Sequence, residues 1–217
     1  MYPHPARIVL VTGGSRGIGA DVAQQLASPG THVVVNYREK AQPAESVAKA
    51  IRRAGGHAST LRADISDEAQ SEAMVDAIAA RFGRLDALIL NATVGPGQGA
   101  VGDAKRLNRE AQRRLALGAL PLMPAGGHIV FVTSHAAHFF PHRAVPKGQA
   151  AIAASMWAGE TALYAMRSEF RRAGVYFTVV SGDEVNGTFA PAVVNAAHTA
   201  NPSGIVYVGG ADSLMIA

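Results

Sequence analysis

Short apolar runs alternate with longer stretches of helical spacing along most of this chain. The runs lack the strict apolar–polar alternation of a half-buried strand, and continuous runs of this length are typical of parallel strands covered on both faces. The pattern predicts seven strands: Ile8–Thr12, His32–Asn36, Ala58–Arg62, Leu85–Asn91, His128–Thr133, Val175–Ser181 and Ile205–Val208.

The stretches between these strands predict helices, and several of them have clear end signals. The first helix is expected to stop at Ser28-Pro29-Gly30, and the third to begin after Ser66 as its N-cap, with acidic residues in its first turn. The predicted helices are Gly17–Ala27, Pro43–Ala54, Asp67–Phe82, about Asp103 to Leu120, about Gln149 to Arg172 and about Phe189–His198.

Regular alternation of strands and helices predicts a single α/β domain over residues 1–217. The expected architecture is a doubly wound, seven-stranded parallel sheet with helices on both faces, in which the winding reverses between the first and fourth strands. The glycine- and proline-rich segment Thr93–Gly102 is expected to form a loop over the ligand crevice.

Composition narrows the class of protein. With 217 residues, 48% of them hydrophobic and 17% charged, the chain can bury a sizeable core, so extensive disorder is excluded. It has no cysteine, which excludes disulfides, thiolate metal sites and a cysteine nucleophile. No apolar run is long enough to span a membrane and the first residues lack the order of a secretory signal, so a cytoplasmic protein is expected.

The formal charge of +4 does not predict a nucleic-acid partner or a membrane partner. The basic residues occur as scattered pairs on segments expected to be exposed helix faces, without the interleaved aromatic residues of a base-stacking surface. These pairs are Arg52-Arg53, Arg113-Arg114 and Arg171-Arg172. A small-molecule substrate is the partner that remains.

The strongest chemical signal is the glycine-rich segment Thr12–Gly19, which leaves the first predicted strand and opens the first predicted helix. Glycines there allow a tight turn and a close approach of the backbone to a pyrophosphate at the positive end of the helix. Its spacing, TGxxxGxG, resembles the short-chain dehydrogenase/reductase family, whose domain is of the Rossmann type. The resemblance identifies these residues as cofactor contacts: Gly13, Ser15, Arg16, Gly17, Ile18 and Gly19.

The end of the second strand bears on the choice between the two nicotinamide dinucleotides. An acidic residue there would bind the ribose hydroxyls of NAD and repel the 2′-phosphate of NADP. This chain has Asn36-Tyr37-Arg38-Glu39-Lys40 instead, and Arg38 together with Arg16 could surround a phosphate. NADP(H) is therefore predicted in preference to NAD(H); in the alternative interpretation Arg38 and Lys40 are solvated loop charges.

Two further matches extend the resemblance along the chain. Asp64-Ile65 follows the third strand and resembles the family's acid–aliphatic pair, whose acid receives the adenine amino group. Asn91-Ala92 follows the fourth strand, where the family carries Asn-Asn-Ala-Gly, and the Asn91 amide is expected to brace the central sheet at the crevice.

Enzymes of this family move a hydride to or from the nicotinamide while a Tyr exchanges the proton, a Ser holds the substrate oxygen and a Lys lowers the pKa of the Tyr. The resemblance assigns the Ser role to Ser134, at the end of the fifth strand; the alternative is a simple strand-end cap. Asn108 is the counterpart of an Asn on the preceding helix.

The Tyr and the Lys have no counterpart. One register puts Gln149 at the Tyr position and the commoner YxxxK spacing puts Ile152 there, while Met156 occupies the Lys position. Glutamine cannot titrate and methionine cannot replace a cation, so the usual hydride-transfer route is expected to be severely impaired.

Other titrating groups lie between Ser134 and the helix. His135, His138 and His142 are expected to be exposed loop histidines without an accompanying acid; a general acid–base role for one of them is the alternative, and no metal site is predicted. The helical substrate lid that the family carries also has no counterpart between Thr188 and Phe189.

Two functions follow from this pattern. The first is an NADP(H)-binding oxidoreductase of the short-chain family that acts on a small carbonyl or alcohol with a non-standard proton donor. The second is a protein that keeps the fold without redox chemistry, as a cofactor-free cyclase or dehydratase or as a binding or regulatory subunit. The resemblance also implies a homo-oligomer, a dimer or tetramer, and four alanines at helical spacing suit close helix packing: Ala151, Ala154, Ala158 and Ala162.

Overall fold

The structure is a computed structural model that describes residues 6–92, 106–182, 187–201 and 203–209. Within these ranges a single seven-stranded sheet forms the centre of the fold. Its strands are β1 Arg7–Val11, β2 Thr31–Tyr37, β3 His57–Arg62, β4 Ala87–Leu90, β5 His128–Thr133, β6 Tyr176–Gly182 and β7 Ile205–Val208.

The strand order is β3-β2-β1-β4-β5-β6-β7, and every pairing is parallel. The chain winds outward from β1 to β3, returns to place β4 beside β1, and then winds the other way. The predicted doubly wound sheet, with its reversal between the first and fourth strands, is therefore confirmed. Such a reversal leaves a crevice at the carboxyl ends of the central strands, where ligands bind in folds of this class.

Helices cover both faces of this sheet. They are α1 Gly17–Gln25, α2 Ala41–Arg53, α3 Glu68–Phe82, α4 Gln112–Ala119, α5 His135–His138, α6 Ala150–Ala165, α7 Arg167–Arg172 and α8 Phe189–Ala196. A π-helical segment, Arg106–Ala111, leads into α4. No helix within the described ranges has the length and apolar character that crossing a membrane would need.

Alternate residues of each strand enter two separate cores. On β1, Leu10 packs with α3, α4 and α6 on one face, whereas Val9 and Val11 pack with α1, α2 and α8 on the other. All three side chains are fully buried. Burial on both faces explains why the strands are apolar without interruption and why their positions were predictable from the sequence.

Two predicted helix boundaries are wrong for local reasons. Ser66 is not the N-cap of α3: the carboxylate of Asp67 accepts a bond from the Gln70 amide at 3.1 Å and takes that role. The long helix predicted from Gln149 to Arg172 is two helices, because the Met166 amide donates to the Leu163 carbonyl three residues back and interrupts the α-helical pattern.

Candidate functional site

The glycine-rich segment leaves β1 and turns sharply before α1, at the crevice edge of the sheet. Gly13 and Gly17 have φ angles of 62° and 53°, in the left-handed region that other residues adopt at a cost. The Gly14 amide donates to the carbonyl oxygen of Asn36 at 3.0 Å, which joins the turn to β2. The phosphate loop, Thr12–Gly19, is therefore set by backbone conformation and by main-chain contacts.

Asn91 fastens this loop to the end of β4. Its side-chain Nδ2 donates to the carbonyl oxygen of Thr12 at 3.0 Å. The backbone amides of Asn91 and Ala92 both donate to the buried Thr12 hydroxyl, at 2.9 and 3.0 Å, and that hydroxyl donates to the Ile89 carbonyl. The sequence predicted Asn91 as a brace at the crevice, and these contacts connect it to the phosphate loop.

The start of α1 is arranged to accept an anion. Arg16 is the N-cap in an extended conformation, no side chain caps the helix, and its first turn carries no acid. A Cβ at Gly19 would overlap Asn91 Nδ2 and would lie 2.5 Å from the Gly13 carbonyl oxygen. Gly19 is thus required for the close packing of α1 against Asn91, whereas a Cβ at Gly17 would meet nothing within 4 Å. The uncapped amides of the first turn therefore lie beside open space, which is the arrangement that a diphosphate requires. The residues present fit a dinucleotide.

Asn36 is a site residue that the sequence analysis missed. It is almost fully buried at the end of β2, where its Oδ1 accepts from the Gly13 amide at 3.3 Å and its Nδ2 donates to the carbonyls of Leu61 and Ala63. One side chain therefore joins the ends of β1, β2 and β3. The available signal was a carboxamide ending a wholly apolar run, since a buried amide needs several partners.

Cationic side chains surround the outer end of the crevice. Arg38 is half-exposed and pairs with Glu39 at 2.7 Å, while Arg62 donates from Nε to the Arg38 carbonyl at 3.2 Å. Arg16 is exposed. An exposed ion pair such as Arg38–Glu39 is worth about 1 kcal/mol or less, so it leaves Arg38 available to a phosphate. Arg62 was not predicted from the sequence.

Asp64 and Ile65 follow β3 at the same edge. One carboxylate oxygen of Asp64, Oδ1, accepts bonds from the Ser66 amide and hydroxyl at 2.9 and 2.6 Å. Ile65 is buried in the core and contributes no polar group. The Asp64 side chain is partly exposed, so its carboxylate keeps access to solvent beside the contact with Ser66.

Ser134 lies directly after β5 and begins the short helix α5. Its hydroxyl accepts a bond from the Ala137 amide at 3.2 Å, so Ser134 is the N-cap of this helix. Capping leaves the hydroxyl proton free to point elsewhere. Asn108 lies in the π-helical segment, and its side chain is outside the described part of the structure.

The residues that the sequence analysis assigned to the Tyr and Lys positions lie at the start of α6. Gln149 precedes the helix and is exposed, whereas Ile152 and Met156 are half-buried and lie one turn apart. Residues four apart share a helix face, which is the relation that a YxxxK pair requires. The structure therefore places Ile152 and Met156 on one side of α6, the relation that the YxxxK spacing predicted for them.

The prediction of exposed loop histidines is wrong for His135, because this residue begins α5 and turns into the protein. It is 1% exposed. Its ring nitrogens are hydrogen-bonded to the Ser181 hydroxyl at 2.9 Å and to the Val208 carbonyl at 3.0 Å. His142, by contrast, is exposed. No cluster of three metal-ligating side chains occurs within the described ranges.

The expectation that no acid accompanies the histidines is also wrong. His138 Nδ1 lies 2.7 Å from Oε1 of Glu160, which is 4% exposed on α6, and Nε2 lies 3.0 Å from the hydroxyl of Tyr207 on β7. Burial, and then the Glu160 charge, raises the pKa of Tyr207, so this phenol stays protonated at neutral pH. Sequence spacing gave no signal for the cluster, because its members are 22 and 69 residues apart.

Gly182 is the last residue of β6, at the carboxyl edge of the sheet. A Cβ there would lie 2.9 Å from the Phe189 ring and from Val208, so only glycine fits. The neighbouring Ser181 is fully buried and is occupied by His135. The segment Thr93–Gly102, which was expected to form a loop over the crevice, lies outside the described residues, and Thr188 is exposed just before α8.

A comparison with protein families finds a match to the short chain dehydrogenase profile over residues 7–196. This range includes every strand from β1 to β6 and all eight helices given above.

Curated relatives agree with this match. A hydroxynaphthalene reductase of Aspergillus fumigatus is 31% identical over 179 residues, which are 79% of this chain and 64% of that protein. An uncharacterized oxidoreductase of Escherichia coli is 42% identical over 145 residues, 58% of this chain and 57% of that protein. The chain spans about a third to just under two thirds of the length of the curated relatives first matched.

Solved structures extend the likeness to nearly the whole chain. A promiscuous reductase that catalyses keto-reduction at C1 during lugdunomycin biosynthesis has a TM-score of 0.81 at 25% identity, with 99% of this chain and 100% of that chain covered. A metagenomic short-chain oxidoreductase in complex with NADP also has a TM-score of 0.81, at 29% identity, with 94% and 97% covered.

Proposed function

The chain belongs to the short-chain dehydrogenase family, and from that premise we propose that it binds NADP(H) and acts as an oxidoreductase on a small carbonyl or alcohol. We propose further that residues 1–217 act as one dinucleotide-binding domain and that its proton donor is not the family's Tyr. The observation that carries the proposal is the phosphate loop, because its bare, uncapped helix start is fixed by Asn91 and Asn36.

The choice of NADP(H) over NAD(H) rests on charge. No acidic side chain ends β2, where it would repel a 2′-phosphate, and the end of this strand carries Arg38. Arg16 is exposed at the mouth of the phosphate loop, and Arg62 is bonded to the Arg38 backbone. Guanidinium groups bind phosphate oxygens in pairs, so this environment favours the phosphorylated dinucleotide.

The remaining roles are assigned to side chains at the crevice. The loop amides of Gly17, Ile18 and Gly19 hold the diphosphate, and Asp64 meets the adenine end. Ser134 holds the substrate oxygen with its hydroxyl proton, and Asn108 supports the reaction end from the helix that precedes β5. When bound, the nicotinamide supplies or accepts the hydride.

The substrate class is proposed from the relatives. Two of them are named for reduction of hydroxynaphthalenes and for keto-reduction during biosynthesis of a natural product. A fused-ring ketone is therefore a reasonable probe, and 2-tetralone has the required bicyclic ketone. We also propose a cytoplasmic homo-oligomer; the alanine stripe of α6 is only half-buried, which leaves small side chains for a helix of another copy.

A protein without redox activity is the second candidate. The observation that favours it is the apolar pair at the start of α6, since Ile152 and Met156 can neither donate a proton nor bind a ribose. A cofactor-free cyclase or dehydratase, or a binding subunit, would use the same crevice. Such a protein would have no need for a phosphate loop that leaves the helix start uncapped. Because the chain has this loop, the first candidate is favoured.

A fluorescence titration of the nicotinamide with NADPH and with NADH tests the proposal. NADPH is expected to bind at least tenfold more tightly, and Arg38→Ala to weaken NADPH about tenfold while leaving NADH unchanged. Arg53→Ala is the control, because Arg53 is an exposed arginine of α2 away from the crevice. Failure of the wild-type chain to bind either dinucleotide would contradict the proposal.

A further inference from the structure

Three polar side chains form a continuous row on the face of the sheet that α6 covers. The Tyr207 hydroxyl is bonded to His138 Nε2 at 3.0 Å, and His138 Nδ1 is bonded to Glu160 Oε1 at 2.7 Å. A hydroxyl, an imidazole and a carboxylate in this order are the components of a proton relay, in which the acid fixes the imidazole and the imidazole serves the hydroxyl.

The two ends of the row differ in exposure. Glu160 is 4% exposed, whereas Tyr207 is 43% exposed and presents its ring to the solvent side. The second carboxylate oxygen, Oε2, has no hydrogen-bond partner among the described residues, although it is buried. A buried carboxylate with this single strong contact costs folding free energy, and the contact is with the imidazole that also bonds the exposed phenol.

Strand register places the row at the reaction end of the crevice. Thr133, Ser181 and Tyr207 are paired across β5, β6 and β7, and Ser134 directly follows Thr133. Neighbouring strands are about 4.8 Å apart, so the backbone of Tyr207 lies about 10 Å from that of Thr133. Helix α5, which Ser134 caps, carries His138 in its last position.

Helix α6 brings the row onto the face where the family has its catalytic pair. Ile152, Met156 and Glu160 follow one another at intervals of four residues, so they lie on one side of the helix. Glu160 is therefore one turn beyond the position of the absent Lys. Along this face, the two apolar residues at the proposed Tyr and Lys positions are followed by a buried acid, and that acid is hydrogen-bonded to a histidine.

We infer that Tyr207 is the proton donor of this active site, with His138 as the group that returns its proton and Glu160 as the residue that positions His138. The inference rests on the proposed function, which supplies a substrate oxygen that becomes an alkoxide. Tyr207 would be a catalytic residue, and Glu160 a positioning residue that acts through the imidazole.

The proton balance is complete within this row. The O–H bond of Tyr207 breaks as an O–H bond forms on the substrate alkoxide. A solvent proton then binds Nε2 of the neutral His138 ring, and the phenolate takes that proton. Nδ1 keeps its own proton hydrogen-bonded to Glu160 throughout, so Nε2 is again unprotonated when the Tyr207 hydroxyl has been restored. The raised pKa of Tyr207 agrees with the first step, because a phenol that stays protonated at neutral pH can donate to an alkoxide.

The ionisable groups that face His138 come from three elements, α5, α6 and β7. Glu160 faces His138 from α6, Tyr207 faces it from β7, and His135 lies one turn earlier on α5. Tyr164 follows Glu160 on α6 and lies under the guanidinium of Arg167. His135 is already bonded at both nitrogens, so it offers no second route for the proton.

The kinetic test compares Tyr207→Phe with the wild-type chain in NADPH-dependent reduction of 2-tetralone. Loss of a general acid is expected to lower kcat at least 100-fold with the Kd for NADPH and the KM unchanged. The ring is retained, so its stacking on Phe139 at 5.7 Å is kept and the variant should fold. Tyr176→Phe is the control. Tyr176 is also an exposed strand tyrosine beside a histidine ring, but it begins β6 and so lies at the amino ends of the strands, opposite the crevice.

The outcomes separate this inference from the function on which it rests. Wild-type turnover that Tyr207→Phe leaves unchanged overturns the relay alone. A wild-type chain that binds NADPH but reduces no 2-tetralone overturns the relay as a catalytic device and leaves the cofactor site standing. A chain that binds no NADPH contradicts the proposed function itself.

A second measurement needs neither cofactor nor substrate. Nitrogen-15 NMR of the histidine rings is expected to find the neutral His138 ring protonated at Nδ1, because Glu160 accepts there and Tyr207 donates to Nε2. Glu160→Gln should weaken that preference, because a neutral carboxamide is a poorer acceptor than a carboxylate, whereas Tyr176→Phe should leave it unchanged. In the separate kinetic assay Glu160→Gln is expected to lower kcat about tenfold. A neutral ring protonated at Nε2 in the wild-type chain overturns the relay whatever the kinetics show.

Discussion

The two halves of the crevice lie on one sheet edge but hold their functional groups in different ways. The nucleotide half, at the ends of β1 to β4, is built from a main-chain loop that Asn36 and Asn91 fix in place, and we propose that its amides bind the dinucleotide. The reaction half, at the ends of β5 to β7, presents side chains, and we propose that Ile152 and Met156 on α6 occupy the positions of the family's reactive pair there.

This difference shows which parts of a family pattern can change without loss of the fold. Replacing a glycine in the nucleotide half disturbs the path of the main chain, because there is no space for a Cβ at Gly19. A half-buried position such as Met156 accepts an apolar residue in place of a cation without a backbone change. The nucleotide half is therefore the conservative half, and the reaction half is where chemistry can be lost or rebuilt.

The largest effect is expected where the main chain itself forms the site. Gly19→Ala should weaken NADPH binding at least 100-fold, because the added methyl group displaces Asn91 Nδ2 and the Gly13 carbonyl and so reshapes the loop. The dissociation constant is measured by nicotinamide fluorescence, and the unfolding midpoint is followed in parallel to detect any loss of fold.

Gly118→Ala is the matched control for this loop variant. Gly118 lies on α4, where a Cβ would meet only Val75 at 3.9 Å, so the change should leave binding intact and stabilise the helix by up to about 1 kcal/mol. If the Gly19→Ala chain bound NADPH with wild-type affinity, the nucleotide half would not depend on the path of the main chain, and its contrast with the reaction half would be wrong.

The reaction half should respond to restoring the missing pair. The double variant Ile152→Tyr with Met156→Lys places a phenol and an ammonium one turn apart on the α6 face, where the ammonium can lower the pKa of the phenol. Reduction of 2-tetralone is expected to rise at least tenfold in kcat, with the Kd for NADPH unchanged or lower.

The alternative register provides the comparison for that double variant. Gln149→Tyr with Met156→Lys puts the phenol before the helix begins, at an exposed position, and should give a smaller gain. A larger gain from Gln149→Tyr would assign the Tyr position to Gln149. No gain from either double variant would mean that the reaction half has lost more than these two groups.

The same contrast explains how far the sequence alone could go. Continuous apolar runs predicted the sheet and its order, and Gly13, Gly17 and Gly19 predicted the phosphate loop, because each signal lies within one short segment. Asn91 could be placed at the crevice for the same reason. The role of Asn36 was not predicted, since its partners come from β1 and from the end of β3.

In the reaction half the sequence was least informative. His138 meets Glu160 and Tyr207 across 22 and 69 residues, and His135 meets Ser181 and Val208 across 46 and 73. Such contacts follow from sheet register and helix packing, which a linear pattern does not encode. The histidines were consequently predicted to be exposed and without an acid. The expected exposure is wrong for His135, which is buried, and the expected absence of an acid is wrong for His138, which is paired with Glu160.

The smallest expected effect concerns stability, and it arises at the amino ends of β2 and β3, at the opposite end of these strands from the nucleotide half. Burial, followed by the charges of Arg81 and His57, lowers the pKa of His32 to about 4, and the ring is bonded to the Ser59 hydroxyl at 2.9 Å. In the unfolded chain the pKa of a histidine is about 6.5, so the unfolded state binds more protons between these values. Stability is therefore complete above about pH 6.5 and falls as the pH drops toward 4.

Urea unfolding at pH 7 and pH 5 measures this effect. The wild-type chain is expected to lose about 1 kcal/mol of unfolding free energy from His32 over this interval, a value reduced for partial access of solvent to the ring. His32→Gln can still bond Ser59 but does not titrate, so it should have a shallower pH dependence, with a residual slope from His128, whose pKa burial also lowers. Gly118→Ala should retain the wild-type slope, and an equal slope in His32→Gln would show that the strands that carry the nucleotide half do not depend on a neutral histidine for their stability.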